Sequence, residues 1–304
     1  MLQTLERACP LCSASDASTL FAESNIDEAQ LNEFTFASRK LPEYMHHRIL
    51  WCPTCDLLYA SPVPAREALL EAYGAAAFDS ATEAGYAART YGRFLPAICR
   101  RLPDQQGALD IGTGNGAFLE VLTEQGFHGV TGVEPSLAPI AAAPDHIRPL
   151  IRQGFFRVED FAQQRFSLVS CFQTMEHVGD PLALCRGAWS LLKPGGALFL
   201  IGHNRRAVTN RVMGEKSPIF DIEHLQLFSK KSAARMMELA GFSDVRVHSV
   251  VNRYPLHYWL KLFPIPSAKL KLGAIRWSKK LRVGHLSVAI AAGNMAIIGY
   301  RPNG

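Results

Sequence analysis

Apolar positions along the chain repeat with two different periods. Short apolar runs bounded by glycine or charge predict strands at 108–112, 129–134, 166–171, 197–202, 244–251 and 295–300. Between them, apolar residues recur at helical spacing over 117–126, 181–192 and 229–240. Further helices are predicted at 65–73 and at 86–102, the latter stopped by Pro103. The segment 108–134 is a strand–loop–helix–strand unit, right-handed by the crossover rule. This alternation predicts an α/β fold: a Rossmann-like doubly wound sheet with a final antiparallel strand and a ligand crevice at the strand C-termini. The interval 254–293 is too long for a hairpin turn and predicts a helical insertion.

Cysteine spacing adds a second unit. Seven cysteines suit a disulfide framework poorly. Four of them form the pairs Cys9-Pro-Leu-Cys12 and Cys52-Pro-Thr-Cys55. Two tight turns of this kind offer four thiolates to one tetrahedral Zn²⁺, and a closed set is structural rather than catalytic. His46 and His47 are spare ligand candidates. Cys99, Cys171 and Cys185 sit in apolar patterns and are expected to be packing residues. The predicted organisation is a zinc-ribbon module at 1–61, a helical linker or cap at 62–105, and a cofactor-binding domain at 106–304 carrying the insertion at 254–293.

The bulk numbers remove some classes. Mean hydropathy is +0.03, and no apolar run approaches the roughly 18 residues of a membrane span. Residues 1–7 include Glu6 and lack an apolar stretch, so no signal peptide is predicted and a cytoplasmic protein is expected. The net charge of +5 is unevenly placed. After Asp244 there are ten basic residues and no acidic one, leaving 22 basic against all 27 acidic residues before it. A segment of this kind faces an anionic partner or is a solvated basic face.

The loop Gly112-Thr-Gly-Asn-Gly116 lets backbone approach a ligand at a helix N-terminus, where free N–H groups point outward. Glu134 closes the second strand, where a carboxylate accepts both ribose hydroxyl protons. Gly112, Gly114 and Ala117 also satisfy a dinucleotide fingerprint, which keeps an NAD-dependent oxidoreductase open. The ordered set decides between the two. Leu109-Asp-Ile-Gly-Thr-Gly-Asn-Gly116, then Glu134, Met175-Glu-His-Val178 and Lys193-Pro-Gly-Gly196 together resemble the class I S-adenosylmethionine-dependent methyltransferases.

With the cysteine pairs, and with His224 inside the stretch 217–229, the chain resembles those of sugar, polysaccharide and natural-product pathways. The resemblance implies that Asp110, Gly112, Gly114 and Gly116 hold the methionine end of the cofactor. Glu134 would bind the ribose, with Pro135 and Ser136 beside the adenine, and Phe172 and Gln173 would line the cofactor. Many relatives carry an acidic residue after the glycine at 154. Here Phe155 and Phe156 follow, which implies stacking on the adenine, with Glu159 or Asp160 as substitutes. Tyr91 and Arg93 are candidates to close over the cofactor.

Methyl transfer is an in-line displacement that depends largely on alignment. His177 beside Glu176 is the first candidate for a general base, and His203 and His224 are further candidates. The stretch 175–178 also resembles that of ubiquinone-pathway O-methyltransferases, some of which bind a divalent cation. Gln173 replaces their second acidic residue, which disfavours metal-assisted catechol chemistry. The expected acceptor is a small molecule such as a sugar, glycan intermediate or secondary metabolite, methylated at O, C or N. Anionic and lipid-linked compounds are among the candidates. The aromatic and lysine-rich insertion is a candidate lid, dimer contact or peripheral membrane helix. Residues 1–61 are not themselves basic, so a zinc-ribbon nucleic-acid binder is the lesser alternative and no nucleic-acid partner is expected.

Overall fold

Two tight cysteine turns dominate the N-terminal part and leave room only for short strands. The computed structural model describes residues 4–14, 17–27, 29, 44–65, 81–262, 268–280 and 283–303. Its first strands are β1 (Thr4–Leu5), β2 (Thr19–Ala22), β3 (Ile49–Cys52), β4 (Leu57–Ala60) and β5 (Val63–Pro64). β1 pairs with β5, and β2, β3 and β4 form an antiparallel meander.

Helices α1 (Ala81–Gly92) and α2 (Leu95–Cys99) lead into the large sheet. There follow β6 (Gln106–Ile111), α3 (Ala117–Glu124), β7 (His128–Glu134), α4 (Leu137–Ala141), β8 (Ile151–Gln153) and β9 (Phe166–Phe172). The chain continues through α5 (Pro181–Leu191), β10 (Leu192–His203), α6 (Val208–Met213), β11 (Gln226–Leu227) and α7 (Lys230–Leu239). It ends with β12 (Ser243–Pro255), α8 (Leu256–Leu262), α9 (Ala268–Lys280) and β13 (Ser287–Tyr300). The seven-stranded sheet has the order β12-β13-β10-β9-β6-β7-β8. β6 to β10 run parallel, and β13 is antiparallel to both its neighbours. Strand order reverses between β6 and β9, which opens a crevice at their C-terminal ends.

Period-two alternation sorts the core onto two faces. In β10, Leu198 and Leu200 enter one buried cluster, while Ala197, Phe199 and Ile201 enter the other. The first cluster contains α5 and α7 residues such as Cys185 and Met237, and it runs on without a break into Cys9, Cys52, Leu57 and Tyr59. The cysteine turns and the large sheet therefore share one apolar core. Local chemistry sets the helix starts. Asp180 accepts from the Ala183 N–H at 2.8 Å, with Pro181 opening α5. Ser229 and Ser232 form a reciprocal cap on α7.

Several expectations need correction. The helix expected at 86–102 is two helices, Ala81–Gly92 and Leu95–Cys99, broken between Gly92 and Leu95. The expectation at 65–73 falls almost wholly outside the described residues. β12 and β13 stay paired out to Pro255 and Ser287, so the insertion is confined to 256–286. Residues 287–294 are rich in Ala, Gly and Asn, whose low strand propensity hid the longer hairpin. β8 and β11, of three and two residues, carry no periodicity to read.

Candidate active site

The crevice is one cleft of about 1390 Å³. That exceeds the roughly 300–1,000 Å³ usual for one drug-sized ligand and leaves space for two. At one end the backbone leaves β6 through the glycine loop. Gly114 has φ 57° and a Cβ there would meet nothing within 4 Å, because the loop faces the open cleft. Gly116, with φ 74°, is different: a Cβ would lie 2.4 Å from Ile147. It starts α3 from behind and does not reach the cleft wall.

Two carboxylates lie under this loop. Glu134 accepts the N–H of Gly114 at 2.8 Å and that of Ser136 at 2.9 Å, and both of its oxygens are fixed by backbone. Burial raises its pKa, opposed by those two donors. Asp110 accepts from the Ser170 hydroxyl at 2.5 Å. Burial pushes it up to about 6; the Ser170 and Thr113 hydroxyls oppose this and Glu134 adds to it. Two buried acids facing one cavity set a strong local preference for a cationic or hydrogen-bond-donating ligand.

Pro135, Ser136, Phe155, Phe156, Phe172 and Gln173 all line the same cleft. Phe156 also stacks on Phe161 at 6.4 Å, so part of its ring is committed to packing. Phe172 sits edge-on to Phe118 and Tyr91 at 4.5 and 5.0 Å. Tyr91 reaches the cleft, whereas Arg93 is exposed elsewhere. Of the two acidic substitutes, Glu159 lines the cleft and Asp160 does not.

The three candidate histidines come together on the same cleft, His203 from the end of β10 and His177 and His224 from two separate loops. The ring centroids of His177 and His224 are 4.9 Å apart, and those of His203 and His224 are 5.3 Å apart. His224 Nδ1 lies 2.7 Å from the Ile219 carbonyl, which can only accept. In the neutral ring the proton is therefore on Nδ1, and Nε2 carries the lone pair. His203 Nδ1 is 3.0 Å from Asn294 Oδ1, and burial, with His224 beside it, pulls its pKa down to about 3. His177 Nδ1 is 3.9 Å from Glu223 Oε1.

Glu176 corrects an expectation. It is fully buried and absent from the cleft wall, where its Oε1 accepts the His203 N–H at 2.6 Å and Oε2 has no partner. Burial raises its pKa, opposed by His224 and the His203 N–H. Its position is underneath the histidines, fixing the backbone that carries them.

The four cysteine sulfurs lie within 4.8 Å of one another, and no histidine joins them among the described residues. The Cys12 and Cys52 sulfurs are 3.6 Å apart. Zn–S bonds of about 2.3 Å at tetrahedral angles require roughly 3.8 Å, so the donor set fits zinc. The two turns are alike. Ser13 and Asp56, both at positive φ, donate their N–H to the carbonyls of Cys9 and Cys52 at 2.8 and 2.9 Å.

Beside these turns are contacts that the sequence reading missed. Arg7 donates to the carbonyls of Ala60, Gly179 and Leu225 and to Gln226 Oε1. Asp56 receives Arg205 and Arg206, and its carbonyl accepts from Ser229. β11 adds to the edge of β4. The Ala60 and Ser229 contacts aside, each lands within three residues of His177, His203 or His224, or on the strand that follows His224. The signal available was charge next to a cysteine pair, Arg7 before Cys9 and Asp56 after Cys55.

Comparison with known proteins follows the same geometry. The family described as "Methyltransferase domain" matches residues 84–247. A ubiquinone biosynthesis O-methyltransferase of Aeromonas salmonicida is 31% identical over 170 residues, covering 51% of this chain and 69% of that protein. Its counterpart in Histophilus somni is 33% identical over 111 residues, 33% of this chain and 46% of that protein. The chain thus spans about half to two-thirds of the length of these relatives. The YcgJ protein of Bacillus subtilis shares the fold, with a TM-score of 0.51 and 15% identity over 71% of this chain and 99% of that one.

Proposed function

Because this chain belongs to the methyltransferase-domain family, we propose that it moves a methyl group from S-adenosylmethionine to a hydroxyl of a small-molecule acceptor. The bound cofactor supplies an electrophilic methyl on a sulfonium. Glu134 would accept hydrogen bonds from the ribose hydroxyls, while the Gly114 and Ser136 N–H groups hold it in place. Asp110 attracts the amino group of the methionine end. Phe155 and Phe172 supply apolar walls, and Glu159 is placed to take the adenine amine.

The observation that carries this reading is the histidine trio on the cleft that also holds the glycine loop. In its neutral form His224 would take the acceptor hydroxyl's proton at Nε2. His177 and His203 shape the pocket around it, and Glu176 keeps the His203 backbone in place. A hydroxyl acceptor agrees with the names of the curated relatives, and sugar or glycan hydroxyls are within the same chemistry. The cysteine turns would hold a structural zinc, whose tetrahedral set would brace the neighbouring segments that bear the histidines. The nucleic-acid alternative loses ground, since the ribbon face carrying β4 is spent on those loops.

Calorimetry with S-adenosylhomocysteine and with NAD tests the proposal, followed by transfer of a labelled methyl to candidate acceptors. Micromolar binding of the first and none of the second is expected. NAD binding alone would overturn the assignment.

A further inference from the structure

Val208, Val212 and Ile290 line the histidine end of the cleft and are also 77%, 81% and 37% exposed, so they form its mouth. Beside them, α8 puts Tyr258, Trp259 and Leu262 on the cleft wall, and α9 lies against α8. α9 exposes Leu272 and Trp277 at 54% and 65%, and Leu286 follows at 59%. Arg276 and Lys280 are exposed on the same helix, at positions that share a stripe with Leu272. The apolar lining of the cleft thus continues outward onto a face where large apolar and cationic side chains alternate. Everything from residue 245 onward contains no acidic residue to neutralise it.

We propose that this face docks on an anionic lipid bilayer and that the cleft takes an amphiphilic acceptor from that surface. The delivery of an acceptor rests on the methyl-transfer reading above; the docking does not. Cations attract anionic headgroups, while Trp and Leu enter the boundary between headgroups and acyl chains. No described helix is long and apolar enough to cross a membrane, so the contact is peripheral. A second copy of the chain fits the face less well, because a two-fold contact would oppose like charges. A polyanion such as nucleic acid would meet the cations but leave Leu272 and Leu286 in water.

The test is flotation of the full-length protein with vesicles of phosphatidylcholine alone or with a third of phosphatidylglycerol. About tenfold more protein is expected on the anionic vesicles, falling as salt is raised. The variant L272E/W277E is expected to lose about tenfold of that binding while keeping its affinity for S-adenosylhomocysteine. Brominated acyl chains are expected to quench tryptophan emission in the wild type and not in W277F, a conservative change that keeps the fold. Equal binding to both vesicle types, no flotation, or quenching that persists in W277F overturns the proposal. So does a dimer that L272E/W277E dissociates, or retention on a DNA duplex with none on vesicles. Absent cofactor binding in the same wild-type sample sinks the methyl-transfer reading and leaves the docking result intact.

Discussion

Arg206 forks onto Asp56, with Nε and Nη2 each 2.6 Å from a carboxylate oxygen. Asp56 follows Cys55 in the second cysteine turn, and Arg206 lies three residues beyond His203. Burial opposes ionisation of Asp56, but Arg206, Ser229 and Arg205 outweigh it and hold the carboxyl below its ordinary range. Its folded pKa is depressed, so its contribution is present above about pH 4 and is lost as pH falls through the folded value. Asp56→Asn is expected to cost about 2 kcal/mol in urea denaturation. Affinity for S-adenosylhomocysteine should stay within about threefold while methyl transfer drops. A variant as active as the wild type would show that the fork does not position the histidine loop.

Asp110 makes cofactor binding depend on pH. Its folded pKa of about 6 lies above the unfolded value, so the folded state holds the extra proton between about pH 4 and 6. Stability of the free protein therefore declines as pH rises through that window. A cationic amino group prefers the carboxylate, so calorimetric affinity for the cofactor should rise between pH 5 and 7, a range of about two units around the titration. Asp110→Asn should flatten the profile; an unchanged slope would assign it to another group.

Glu134 and His224 both line the cleft, one beside the glycine loop and the other in the histidine trio, and should separate in binding and turnover. Glu134→Ala removes the acceptor that holds the Gly114 and Ser136 donors. It is expected to weaken S-adenosylhomocysteine binding about 30-fold, or roughly 2 kcal/mol. His224→Ala and His177→Ala should bind it within about threefold and lose about 10²- to 10⁴-fold in transfer. Equal loss of binding in all three would make the histidines structural.

Chelation tests the metal and its reach together. Verified zinc removal should lower the melting temperature and raise amide exchange most strongly at 1–61. Exchange should also rise at 175–179 and 224–229, which Arg7 and β11 hold. Unchanged melting would end the structural-zinc assignment. Exchange confined to 1–61 would show that the two regions are mechanically independent.

The large sheet and its glycine loop were legible because period-two runs and a local motif carry them. β10 sorts its residues onto two faces much as its alternation predicts. The histidine trio was legible only as three separate suspects. His177, His203 and His224 come together through strand order, and a linear pattern does not encode which loops meet. Glu176 reads from sequence either as a catalytic partner of His177 or as a fixer of its loop, because a carboxylate beside a histidine has the same spelling in both cases. Arg7 and Asp56 left no trace in any period, since their partners near the histidines are between about 150 and 220 residues away.

β11 is two residues long and takes its partner from the cysteine meander rather than from the large sheet. Anyone recombining this enzyme with a relative therefore inherits a seam that does not run where the chain passes from one unit to the next. A graft cut near residue 62 would bring a new ribbon edge to face an old 224–229 segment, with mismatched side chains beneath both. The transferable parcel is discontinuous: the first sixty or so residues together with the stretch from His203 to Ser232. Swapping acceptor preference between homologues should succeed when both pieces travel together and fail when either travels alone.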